Sequence, residues 1–149
     1  MSAQENVSLV RSLVDHYNSH QSDPAWLDKS LALFAENCEV VNVPLSMTSQ
    51  GPDGYKQVAL FFSDAFPGSR VEITTLFAIE DQACLEFIGR GTNTGLLHLP
   101  AGDLRATGRS VELAFSETFQ IRGGKIVSLH IYFDNLGFMQ QLGLIPSQG

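Results

Sequence analysis

Four residues in one stretch of the chain could move protons: Glu117, His130, Tyr132 and Asp134. A carboxylate beside an imidazole can share a proton with it and hold the ring charged. A phenol or an imidazolium can in turn donate a hydrogen bond to an enolate oxygen. An aspartate facing apolar side chains is disfavoured as an anion, so its pKa rises toward the range where one carboxyl can both take a proton and return it. Together these groups suit removal of a hydrogen α to a carbonyl and protonation of the oxygen that becomes a hydroxyl, with Asp134 as the principal acid and base.

The same sequence supplies the element that must carry them. Two runs rich in β-branched and aromatic residues, 111–122 and 125–134, flank Gly123-Gly124, and glycine tolerates the positive φ of a two-residue primed turn. With Arg122 opposite Lys125, strict alternation pairs Phe119 with Ser128, Glu117 with His130, Phe115 with Tyr132 and Leu113 with Asp134. One face then mixes Leu113, Phe115 and Phe119 with the four ionisable groups, as the wall of a small-molecule pocket would. The opposite face sets Ala114, Ser116, Thr118 and Gln120 against Val127, Leu129, Ile131 and Phe133. Such a surface needs a cover, and a second copy of the chain would provide one, giving a homodimer through the outer sheet face. Everything here depends on register, because a slip of one residue turns one strand over relative to the other.

Structural roles compete for the same residues. Asp134 precedes Asn135-Leu136 and is equally placed to cap a terminal helix. Glu117 and His130 could be a satisfied structural pair, and Tyr132 part of the pocket wall. Asn42, on an earlier strand, either binds a substrate oxygen or is a satisfied core amide.

Bulk properties narrow the partners. At 149 residues the chain fits one domain, 1–149, with enough length to bury a core. Its formal charge of −7 argues against nucleic acid or an anionic membrane as partner and leaves a small hydrophobic molecule. Cys38 and Cys84 cannot make a disulfide framework or a zinc site. The first residues lack a signal-peptide pattern, and no run approaches membrane-spanning length, so a cytoplasmic protein is expected.

Along the chain, Val7, Val10, Leu13, Val14 and Tyr17 predict an amphipathic helix over 4–19. Asp23-Pro24 predicts the start of a second, running through Phe34. A short strand over 38–43 stops before Pro44, 46–54 is a polar loop, and Tyr55 to Phe66 form a third helix ended by Pro67-Gly68. Strands over 71–79 and 83–91, a loop over 95–108, the hairpin and a short terminal helix complete an α+β pattern.

The order of Gly51-Pro-Asp-Gly54, Ala65-Phe-Pro67, Gly91-Thr-Asn-Thr-Gly95, Thr107-Gly-Arg109, Gly124-Lys-Ile126 and Asp134 with Gln141-Leu-Gly-Leu144 resembles the SnoaL-like polyketide (ester) cyclases over nearly the whole chain. That resemblance implies the cone fold shared with nuclear transport factor 2 and the ketosteroid isomerases. In it a curved antiparallel sheet wraps around three N-terminal helices, and a short C-terminal helix follows. It also implies aldol-type cyclisation or a related isomerisation with no metal or organic cofactor, using an aspartate that matches Asp134. The cyclases' pocket histidine aligns with Glu117, while a histidine stands across the hairpin at His130. The alternative within the same fold is a non-catalytic small-molecule-binding or dimerisation module.

Overall fold

Apolar residues at three- and four-residue steps wind the first segment into α1 (Ala3–Asn18), with Ser2 accepting the Glu5 N–H at 3.1 Å as its N-cap. The computed structural model describes residues 2–146. After α1 come α2 (Trp26–Leu31), β1 (Phe34–Asn42), β2 (Met47–Gln50), α3 (Asp53–Ala65), β3 (Arg70–Ile79), β4 (Gln82–Thr92), β5 (Leu97–Leu99), β6 (Gly102–Leu104), β7 (Ser110–Arg122), β8 (Lys125–Phe133) and α4 (Asn135–Gln141). No helix among the described residues is long and apolar enough to cross a membrane.

Six strands form one sheet in the order β2-β1-β8-β7-β4-β3. The pairings are antiparallel except β1 with β8, which run parallel. The sheet is curved, and register shifts in the β1–β8, β3–β4 and β7–β8 pairings supply local bends, since each bulge sharpens twist. Leu113, Phe115, Phe119, Leu129 and Ile131 point to the concave side and are buried with Leu13, Val14, Tyr55, Ala59 and Phe138 from the helices.

Several element boundaries differ from the sequence expectation. The second helix stops at Leu31, because Phe34 already belongs to β1 and stacks on Tyr55 with ring centroids 4.9 Å apart. Asp23 does not cap that helix; Ala25 does, while Asp23 accepts the Ala25 N–H at 2.9 Å in a local turn. The stretch expected as a loop over 46–54 contains β2, which extends the sheet edge. The one over 95–108 contains the small β5–β6 hairpin.

Asn93 anchors that hairpin. Its amide donates to the carbonyls of Ala65 at 2.9 Å and Gly95 at 3.0 Å, and accepts from the Thr107 N–H at 2.7 Å and hydroxyl at 2.9 Å. A side chain at Gly95 would strike the Asp64 carbonyl, so the close approach of this loop to α3 requires glycine.

Candidate functional site

The register of β7 on β8 decides which side chains meet. Arg122 pairs with Lys125 and Ile121 with Ile126, but Gln120 then pairs with Ser128, leaving Val127 as an extra residue in β8. Beyond the bulge Phe119 faces Leu129, Thr118 faces His130, Glu117 faces Ile131, Ser116 faces Tyr132 and Phe115 faces Phe133. The strict alternation expected from sequence is therefore off by one. The physical reason is burial: the bulge turns Leu129 and Ile131, both fully buried, into the core and keeps Ser128 and His130 out of it. Each buried aliphatic side chain contributes roughly 1.5–3 kcal/mol, and His130 would have to be desolvated in the other register.

Three corrections follow from this offset. His130 is not a partner of Glu117; it lies on the convex face, where its Nε2 is 3.7 Å from a Glu39 carboxylate oxygen. Tyr132 is 46% exposed on that same face and lines no part of the cavity that holds Glu117. Leu129 and Ile131, expected on the outer surface, are core residues, and Phe133 packs inward against Phe62, Phe115 and Phe138.

Asp134 takes the capping role. Its carboxylate accepts the Gly137 N–H at 2.9 Å at the start of α4, and the residue is exposed at the rim of the sheet and not inside the hollow. The chain leaves β8 at Phe133, so the next side chain no longer follows the pleat that would have aimed it inward.

Glu117 stands alone. It projects from the middle of β7 into a cavity of about 90 Å³. Leu113, Phe115, Leu85, Phe87, Phe62 and Phe138 supply most of an apolar wall. Leu113 and Phe115 thus line the site as expected, whereas Phe119 is packed in the core and does not line it. Glu117 is only 7% exposed, and burial pushes its carboxyl up to about 8, with no hydrogen bond or ion pair among the described residues to offset it, although Arg70 and Arg90 also line the cavity. A carboxyl in that range is present in both protonation states near neutral pH, which general acid/base chemistry requires.

Hydroxyl groups missed in the sequence complete the wall. Tyr17, from α1, makes a 2.7 Å hydrogen bond with the Ser69 hydroxyl, and burial pushes its phenol up to about 12. Tyr55, from α3, is fully buried; burial and then the nearby Glu117 charge push its phenol still higher, so it stays neutral. The available signal was a tyrosine placed on each apolar helix stripe, where a buried O–H needs a partner.

Asn42 lies elsewhere. It faces the concave side of β1 but lines a second hollow, of about 510 Å³, bounded by β1, β2, α3, α4 and the β5–β6 hairpin. Val58, Phe62 and Phe138 belong to the walls of both hollows and stand between them.

A curved sheet closed by helices over a largely apolar cavity with one buried acid among the described residues defines a cone-fold protein. The sequence profile of the SnoaL-like polyketide cyclases matches residues 8–142, so the chain belongs to the SnoaL-like family. Solved structures with the same fold include a candidate SnoaL-like polyketide cyclase from Jannaschia sp. CCS1, which aligns over 98% of each chain at 17% identity with a TM-score of 0.81. AclR from Streptomyces galilaeus aligns over 99% of this chain and 87% of its own at 19% identity and a TM-score of 0.81. An LEH-like epoxide hydrolase from M. tuberculosis aligns over 97% of this chain and 93% of its own at 14% identity and a TM-score of 0.68. No curated protein matches the chain.

Proposed function

We infer that this chain is an enzyme that performs cofactor-free acid/base chemistry, an isomerisation or aldol-type closure, on a small hydrophobic carbonyl compound held beside Glu117. The observation that carries this reading is a carboxyl raised to about 8 by burial in a largely apolar cavity. As the carboxylate, Glu117 removes a hydrogen α to the carbonyl; as the acid it returns that proton to carbon or to oxygen. Tyr55 and Tyr17, held neutral by burial, are the donors available to an enolate oxygen in the same cavity. The acid/base role expected of Asp134 passes to Glu117 in this reading, because Asp134 is exposed and engaged by the Gly137 N–H.

Hydrogen exchange tests the reading directly. A small β-keto ester with a single acidic α-hydrogen, incubated in deuterated water, should exchange faster with the protein than in buffer. Glu117→Gln should lower the catalysed rate by roughly 100-fold, a typical contribution of one general base, and Asp134→Asn should leave it unchanged. Exchange that survives Glu117→Gln would remove the proposal. A non-catalytic binding or dimerisation module is the second reading, favoured by the dispersal of His130, Tyr132 and Asp134 away from Glu117. A homodimer fits either reading: Phe77, Ile79 and Tyr132 are exposed large apolar residues on the convex face of the sheet.

A further inference from the structure

The hollow bounded by α3, α4, the β1–β2 edge and the β5–β6 hairpin is larger than the Glu117 cavity and plays no part in the chemistry proposed above. Its about 510 Å³ falls within the roughly 300–1,000 Å³ of small-molecule sites. Leu45, Met47, Leu60, Phe61, Leu99 and Met139 give it apolar walls, and no lysine or arginine lines it. An anionic ligand would find no unpaired cation among the described residues there.

Two polar features remain. At the rim, His98 on β5 is held between Asp103 at 3.0 Å and Asp64 of α3 at 3.5 Å, so these charges already satisfy one another and clasp the hairpin to the helix. On β1, the Asn42 side-chain oxygen is buried with no hydrogen-bond partner among the described residues. A buried amide oxygen left unpaired is costly, and it is uncommon unless a ligand or water completes it. A ligand ammonium would be poorly solvated against this neutral amide, whereas a hydroxyl can donate to its oxygen or accept from its nitrogen.

We propose that this hollow is a second ligand site, separate from the Glu117 cavity, for a neutral lipophilic hydroxy compound whose O–H bonds the Asn42 amide. The body of the ligand lies between α3 and the β5–β6 hairpin, and Val58, Phe62 and Phe138 keep it apart from Glu117.

Calorimetric titration with naphthol and with its methyl ether tests this, because the two probes share shape and differ in the donor. Wild type should bind naphthol about tenfold more tightly than the ether, the effect of one satisfied buried hydrogen bond. Asn42→Leu should abolish that preference while retaining the ether, and Glu117→Gln should preserve it. Met139→Trp, which enlarges a wall residue of the hollow and leaves the Asn42 amide itself in place, should weaken both probes and serves as the deciding variant if Asn42→Leu does not fold. Equal affinity for the two probes in wild type, as a water-filled amide site would give, overturns the proposal. So does no binding of either probe, a preference that persists in Asn42→Leu, a preference lost in Glu117→Gln, or unchanged binding in Met139→Trp.

Discussion

Glu117 sits directly opposite Ile131 across the β7–β8 ladder, and this pairing leaves one carboxyl with apolar neighbours in the centre of the concave face. Had the ladder run without its bulge at Val127, an imidazole would share that rung and hold the carboxyl ionised. The isolation of Glu117 is thus what raises its pKa.

That shift ties stability to pH. The Glu117 carboxyl moves from 4.5 in an unfolded chain to about 8 in the fold, so the folded state holds its proton more tightly. Between those values the unfolded state ionises first, and stability falls as pH rises through the window, levelling off above about 8. Glu117→Gln should therefore be more stable than wild type at pH 9 by on the order of a few kcal/mol, with the gap narrowing toward pH 5. Urea denaturation at a series of pH values measures this; a constant gap would contradict it.

Loss of the α4 cap should have a different signature. Asp134→Ala removes the acceptor for the Gly137 N–H and should cost about 1 kcal/mol in thermal or urea unfolding at neutral pH. Hydrogen exchange of the β-keto ester should be unaffected, which distinguishes a cap from a catalytic group.

The bulge makes neighbouring residues respond unequally. Ile131→Ala, in the core, should cost about 2–5 kcal/mol, whereas His130→Ala should cost under about 0.5 kcal/mol because its pair with Glu39 is half exposed at 3.7 Å. Comparable losses in the two variants would argue for the unbulged register.

Asn93→Ala should be among the most damaging polar substitutions. It removes four hydrogen bonds and strands the Thr107 N–H, so a loss of about 3 kcal/mol is expected. Amide exchange in the 95–108 segment should accelerate more than in β7 or β8, since Asn93 ties that segment to α3.

The convex face offers a test of assembly. Phe77 and Ile79, 50% and 67% exposed, lie beside the row formed by Cys84, Thr118 and His130. Light scattering at micromolar concentration should give a dimer for wild type and a monomer for Phe77→Asp combined with Ile79→Asp. A wild-type monomer would exclude this interface.

By itself the sequence determined the helices, the long strands and their order, though not β2 or the β5–β6 hairpin. Three- and four-residue apolar spacing marked α1 and α3, Gly123-Gly124 marked the hairpin tip, and alternation marked β3, β4 and β7, because local periodicity and turn chemistry are written in neighbouring residues. It also determined that Glu117 would share a face with Leu113 and Phe115, since all three lie on one strand at steps of two. Only the tertiary structure decided what faced Glu117. A single inserted residue at Val127 depends on how much apolar surface the helices bury against Leu129 and Ile131, an energy summed over distant contacts that no alternation rule contains. For the same reason the structure alone sent Asp134 to the cap of α4, divided Asn42 from Glu117 with Phe62 and Phe138, and brought Tyr17 and Tyr55 from separate helices to one cavity.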